Sequence, residues 1–168
     1  MPILQAQTPA EIAAVRELLR EYATWAFSFV PGSHATPAWE DFDRELKTLP
    51  GIYAPPAGAL LLALHEQQPA GCVCLKAHGP ATAELKRLYV RPAFRGHNLG
   101  PQLVRTLIQI ARESGYQKIV LDSHLSMQAA HAIYRRAGFR DVSAPADFPD
   151  DLKPEVVFME CDLFALPA

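Results

Sequence analysis

The most regular pattern in the chain lies between residues 99 and 113. Leu99, Leu103, Val104, Leu107, Ile108 and Ala111 recur with the period of an α-helix, and Gln102, Arg105, Gln109, Arg112 and Glu113 take the opposite face. The spacing predicts an amphipathic helix with one buried stripe. Pro101 falls in its first turn, where a missing N–H has no intrahelical partner, and Gly115 supplies a left-handed exit. A shorter stripe of Ile12, Val15, Leu18 and Leu19 predicts a helix through about Tyr22, opened by the capping box Thr8-Pro9-Ala10-Glu11. Thr24 to Pro37 breaks this pattern and reads as an irregular connection carrying Trp25, Phe27, Phe29 and His34, with a second helix from Pro37 to Leu49. Ala130, Ile133, Tyr134 and Ala137 mark another helix, capped by Ser126 and ended by Gly138.

Strand-like runs fill the intervals. Met1 to Gln7 reads as a short strand, and Ala59–His65 with Ala70–Ala77 as a hairpin about Glu-Gln-Gln-Pro. The run from Glu84 to Pro92 does not alternate cleanly, which one β-bulge explains. Lys118 to Asp122 is nearly continuous in apolar residues, as in parallel strands covered on both sides. Phe139 to Val142 begins a further strand, a Pro- and Asp-rich loop covers 143 to 154, and Val156 to Leu163 closes the sheet. Strand, glycine turn, helix and strand across residues 84 to 122 form a right-handed crossover. The turn leaves backbone N–H groups pointing outward at a helix N-terminus, where the macrodipole favours negative charge, so it is a place for phosphate.

Composition narrows the classes. With 168 residues and 49% hydrophobic content, the chain fills one core, so a single domain spanning 1–168 is expected. A net charge of -2 argues against a general nucleic-acid binder. No apolar run approaches the length needed to span a bilayer and no basic-then-apolar leader opens the chain, so the expectation is a cytoplasmic protein without membrane partners. Cys72, Cys74 and Cys161 lack CxxC spacing; Cys72 and Cys74 share one strand face as small hydrophobes. His124 and His131 have no third ligand, so no metal is expected.

Three segments carry chemistry together: Glu84-Leu-Lys-Arg-Leu-Tyr-Val-Arg-Pro92, Arg95-Gly-His-Asn-Leu-Gly100 and Ala129-Ala-His-Ala-Ile-Tyr-Arg-Arg-Ala-Gly-Phe139. As a set they resemble the GNAT superfamily of acyl-CoA-dependent N-acetyltransferases, well over residues 58 to 143 and by element order before that. The family's pyrophosphate loop is written Gln/Arg-x-x-Gly-x-Gly/Ala. Arg95 and Gly100 fit it, and Asn98 stands at the first glycine, the non-glycine residue that best tolerates a left-handed backbone. The resemblance implies an α/β (α+β) fold with a central twisted mixed sheet of six to seven strands, about four flanking helices, and a parallel pair splayed around an acyl-CoA site. It implies acetyl-CoA as co-substrate, an amine as acceptor and a possible homodimer. Backbone at Leu88, Tyr89 and Val90 would bond the pantetheine arm, and Arg95, Gly96, His97, Asn98, Leu99 and Gly100 the pyrophosphate. Ser126 would touch the cofactor, and Tyr134 would sit beside the thioester sulfur.

The reaction accounts for these residue types. An alkylammonium must lose its proton before it attacks a thioester, and Glu84 resembles the family's base position. A partly apolar cleft would raise its pKa toward a useful value. An N–H near Val90, freed by the bulge, would stabilise the oxyanion, and the Tyr134 phenol would protonate the leaving thiolate. Base and substrate-orienting carboxylate are not separable from sequence for Glu84, and Asp122 either orients an amine or caps the next turn. Trp25, Phe29, Trp39, Asp41 and Phe42 point to a cationic acceptor with an apolar portion. Two other readings compete: a non-catalytic acyl-CoA sensor, and a dinucleotide binder with Asp122 as ribose acid, which fails because Gly96 and Gly100 do not make G-x-G-x-x-G.

Overall fold

The structure, a computed structural model, describes residues 2–29 and 37–165. Its strands are β1 (Ile3–Gln5), β2 (Ala59–His65), β3 (Gln68–Ala77), β4 (Thr82–Val90), β5 (Lys118–His124), β6 (Arg140–Val142) and β7 (Val156–Asp162). The helices are α1 (Pro9–Ala26), α2 (Pro37–Lys47), α3 (Leu99–Glu113) and α4 (Gln128–Arg136). All seven strands join one mixed sheet in the order β1-β2-β3-β4-β5-β7-β6. Only β4 and β5 run parallel, which is the expected mixed architecture and not a doubly wound parallel series.

Alternation along the strands divides the interior into two layers. Leu61, Val73, Leu75, Leu85, Ile119 and Leu121 point to the face covered by α3 and α4, where Leu103, Leu107 and Tyr134 meet them. Leu60, Leu62, Cys72, Cys74 and Tyr89 point to the other face, against Val15, Leu18 and Leu19 of α1 and Phe42 and Leu46 of α2. Each such buried side chain contributes about 1.5–3 kcal/mol. The three cysteines are free and buried, and burial pushes the Cys161 thiol up to about 11.

Two irregularities open the middle of the sheet. Cys72 pairs with Tyr89, but Cys74 pairs with Lys86, so Arg87 and Leu88 oppose Val73 alone. This is the expected bulge, and Arg87 takes its left-handed corner at φ 62°. The parallel pairing of β4 with β5 then ends at Glu84↔Val120. Past that point the strands part, leaving the end of β4 without a parallel partner for its main chain.

Several boundaries differ from expectation. Helix α1 does not stop near Tyr22 but continues through Ala26 into a 3₁₀ turn at Phe27–Phe29, so Trp25 is helical. Aromatic packing extends it, with Tyr22 against Trp25 (centroids 6.3 Å) and Phe27 against Phe42 (6.0 Å). The capping box at Thr8 forms as expected. Helix α2 ends at Lys47, where Thr48 Oγ1 donates to the Arg44 carbonyl at 3.0 Å. The hairpin turns on Glu66 and Gln67, both left-handed at φ 48° and 64°, so β3 begins at Gln68. Ser126 does not cap α4: Met127 holds that position without a side-chain bond, and Ser126 instead donates through N–H (3.2 Å) and Oγ (2.7 Å) to His124 Nδ1. His34 lies outside the described residues.

Candidate active site

The turn that follows β4 is held by its own backbone. A 3₁₀ turn at Pro92–Phe94 reverses the chain, Arg95 Nε donates back to the Val90 carbonyl at 3.2 Å, and Gly96 crosses at φ 84°. Asn98 enters α3 in the left-handed region, φ 60° and ψ 20°, the conformation expected of an asparagine standing for glycine. A Cβ at Gly100 would lie 2.8 Å from Ile133 Cδ1, so the end of that side chain would have to turn aside for any larger residue.

Between these elements lies a cavity of about 460 Å³. Leu88, Tyr89 and Val90 of β4 form one wall, and Arg95, Gly96, Asn98, Leu99 and Gly100 of the turn form another. Ala129, Ala130 and Ile133 of α4 close it, their small or apolar side chains leaving room for a linear ligand. Eight of the ten residues expected at a nucleotide-linked thioester thus share one cavity. His97 and Ser126 do not line it. The His97 ring turns away onto His65 (4.4 Å between centroids), its Nδ1–H facing the carbonyls of Arg95 (3.2 Å) and Phe94 (3.3 Å).

A second cavity of about 220 Å³ adjoins the first, sharing Trp25, Leu88 and Ala130 with it. Tyr134, Lys86, Arg87, Asp122 and Ser123 line this one. Tyr134 is 5% exposed, and its hydroxyl has no hydrogen-bond partner among the described residues, so it is offered to the cavity. Burial, then the nearby Tyr22 and Asp122, push the phenol well above its ordinary pKa, which keeps it protonated at neutral pH. A third cavity, about 820 Å³, shares Asn98, Pro101 and Ile133 with the first and is lined by Arg105, Arg112, Arg135 and Arg136.

Glu84 departs from expectation. It is 7% exposed, but its carboxylate meets Lys86 Nζ at 3.1 Å and Lys76 Nζ at 3.2 Å, with His78 at 3.6 Å. Burial alone pushes the carboxyl up; the charges and hydrogen bonds of Lys86 and Lys76 outweigh it, so the net shift is downward. The expected rise toward a basic range does not occur. Sequence patterns gave no sign of three further contacts. Arg87 donates to the Glu45 carboxylate from Nη2 (3.1 Å) and Nε (3.3 Å) and lies over the Phe42 ring at 4.7 Å. Arg91 binds Glu21 of α1 at 2.7 Å. His131, buried and pushed below its ordinary pKa by burial and then by Arg135, meets Ser123 Oγ at 3.0 Å. Each joins residues far apart in the chain or across a turn, where spacing carries no signal.

Residues 12–139 match the acetyltransferase (GNAT) family model. The chain belongs to the GNAT acetyltransferase family. An uncharacterised N-acetyltransferase of Schizosaccharomyces pombe is 36% identical to this GNAT chain over 127 residues, covering 74% of it and 76% of the relative. Among solved structures, a GNAT-family acetyltransferase from Staphylococcus aureus superposes with TM-score 0.75 at 20% identity, over 96% of this chain and 98% of that one. The PaiA N-acetyltransferase of Thermoplasma acidophilum, in complex with coenzyme A, gives 0.74 at 18% identity over 96% and 99%. This GNAT chain is therefore an acetyltransferase. Among its described residues no helix is long and apolar enough to cross a membrane, and no group of three or more His, Cys, Asp or Glu could hold a metal ion.

Proposed function

We propose that this acetyltransferase moves an acetyl group from acetyl-CoA to a primary amine by direct attack. The observation that carries the reading is the adjoining pair of cavities, one walled by the open end of β4 and the glycine-asparagine turn, the other carrying the Tyr134 hydroxyl. The main chain of Leu88, Tyr89 and Val90, lacking a parallel partner, would bond the amides of the pantetheine arm as a neighbouring strand does. Amides of the turn at the α3 N-terminus would hold the pyrophosphate. The arginine-lined cavity beyond Asn98 would take the nucleotide's remaining phosphate. Acetyl-CoA supplies the activated acyl group.

Tyr134 is the proton donor in this reading. When the amine's C–N bond forms and the C–S bond breaks, the departing thiolate takes the Tyr134 proton. The burial that keeps the phenol loaded also makes it a reluctant acid, so its contribution belongs at the lower end of general acid catalysis, about 10²-fold. Glu84 is a weaker candidate for base. Moving a proton from an alkylammonium near pKa 10.4 to a carboxyl held below 4.5 is uphill by at least about 8 kcal/mol. We therefore assign Glu84 to electrostatic orientation through Lys86, and the amine reacts as the small neutral fraction that equilibrium with bulk solvent leaves at neutral pH, its proton released to the buffer.

Free thiol release from acetyl-CoA, measured against polyamines, amino acids, aminoglycosides and peptide N-termini, tests the reaction. Release with at least one amine class is expected. A second reading, a non-catalytic acyl-CoA sensor, is favoured by the committed state of Glu84. Calorimetric binding of acetyl-CoA without thiol release across that panel would establish the sensor instead.

A further inference from the structure

We propose that Trp25 sets the length of the acyl chain the donor thioester can carry, its indole forming the wall that admits acetyl and excludes longer chains. The inference rests on the acetyl-transfer reading above and names a specificity-determining residue of that same site. The cavity walled by the end of β4 and the turn adjoins the one holding Tyr134, and the two share Trp25, Leu88 and Ala130. A thioester whose pantetheine arm fills the first, and whose sulfur takes a proton from Tyr134 in the second, has its carbonyl carbon at this junction. The smaller cavity, about 220 Å³, has to take both the acyl chain and the attacking nitrogen. It lies below the roughly 300–1,000 Å³ of a usual small-molecule pocket. Room at the junction therefore decides how long the chain can be.

Trp25 carries the largest of the three shared side chains, and its place is built from both sides along α1. Glu21, one turn earlier, accepts from Arg91 at the end of β4, from Nη2 at 2.7 Å and Nε at 3.0 Å. Tyr22 meets the Trp25 ring and the Tyr89 ring edge to face, each with centroids 6.3 Å apart. Beyond the indole, Ser28 Oγ donates to the Trp25 carbonyl at 2.5 Å, and Phe27 packs on Phe42 of α2. The last turns of α1 are thus fastened to the strand that would hold the pantetheine arm, so indole and thioester keep a fixed spacing. The indole is still 37% exposed, which leaves apolar surface for an acyl-CoA to cover. A short acyl chain gains by covering it, whereas extra methylenes forced against a ring held in this way meet the cost of overpacking.

The test measures kcat/KM for acetyl-CoA and butyryl-CoA with one amine acceptor, and the affinities of coenzyme A and butyryl-CoA by calorimetry. Wild type should prefer acetyl-CoA at least about tenfold, the discrimination a pocket makes over one methylene. Trp25→Ala should lower that preference below about threefold, with Trp25→Phe between the two. Butyryl-CoA should gain affinity relative to coenzyme A in the same order, and coenzyme A binding shows that each variant is folded. Trp25→Phe, the smaller change, decides if Trp25→Ala does not bind coenzyme A. Equal use of the two donors by wild type, or a kinetic preference unchanged in the variants, overturns the inference and leaves acetyl transfer standing. If no amine gives thiol release, acetyl transfer fails, and the calorimetric ratio alone decides: a ratio unchanged in the variants overturns the inference as well, and the expected gain for butyryl-CoA upholds Trp25 as the acyl wall.

Discussion

In the proposed reaction Tyr134 is both a core residue and the proton donor. Its ring packs on Phe139 at 5.7 Å within the α3 and α4 layer, while its hydroxyl opens to the cavity. Tyr134→Phe keeps the packing and removes only the proton, so kcat should fall about 10²-fold with acetyl-CoA Kd changed less than about twofold. Because burial raises this phenol, its ionisation should cause no loss of activity up to about pH 10, checked by the kcat profile of the wild type. The position could be singled out in the sequence, since a tyrosine four residues before Gly138 on a helical stripe has a distinctive context. Glu84 was legible as a position but not as an environment. Lys76 reaches it only because the register of β3 and β4 pairs those two residues, a tertiary fact that local pattern does not contain. Its depressed pKa makes a second expectation. The stability it contributes is fully present above the ordinary carboxyl value of 4.5 and is lost as pH falls through the lowered folded value. Glu84→Gln should cost about 1–3 kcal/mol at pH 7 by leaving two buried-side lysines underpaired. In urea titrations the difference from wild type should shrink as pH falls below 4.5 and through the lowered folded value.

At the scale of elements, the decisive piece is the turn from β4 into α3. Asn98 occupies the left-handed region there, and a residue with a Cβ that cannot bond locally pays roughly 1–2 kcal/mol for it. Asn98→Ala should therefore lower stability by about 1 kcal/mol and weaken acetyl-CoA binding, whereas Asn98→Gly should remain within about 0.5 kcal/mol of wild type. Thermal melts with and without acetyl-CoA separate the two effects. Helix α3, the crossover and the bulge were readable because their signals are local: period, glycine exit, failed alternation. The end of α1 was not. Trp25 is helical because Tyr22 and its neighbours provide partners for the aromatic rings beyond Thr24, and such packing overrides a weak local break. Ser126 misled for a related reason: its hydroxyl can accept from a helix N–H or donate to a nearby side chain, and here it is engaged with His124 Nδ1.

For the molecule as a whole, the question is what keeps two packed layers in register across a sheet that parts in its middle. The layer of α1 and α2 is tied to the bulge by one buried set of polar contacts. Arg87 binds Glu45 of α2, Tyr53 donates its hydroxyl to the same carboxylate at 2.7 Å, and the guanidinium lies over Phe42. Arg87 sits where β4 leaves the ladder, so this pair connects the packing of α2 to the stretch of main chain that would hold the thioester. Such a pair is worth little against an apolar replacement of both partners, but breaking it on one side leaves an uncompensated charge. Glu45→Ala should cost about 3–5 kcal/mol. Arg87→Gly keeps the left-handed corner and removes the guanidinium, leaving Glu45 still bonded by Tyr53, so it should cost less. The double variant should be more stable than the sum of the single losses by about 1–3 kcal/mol, read from denaturant midpoints in a double-mutant cycle. If the pair also positions the bulge, each variant should raise KM for acetyl-CoA, and in Arg87→Gly that rise should exceed what its loss of stability accounts for. Additive stabilities with an unchanged KM would show that α2 and the bulge are held independently.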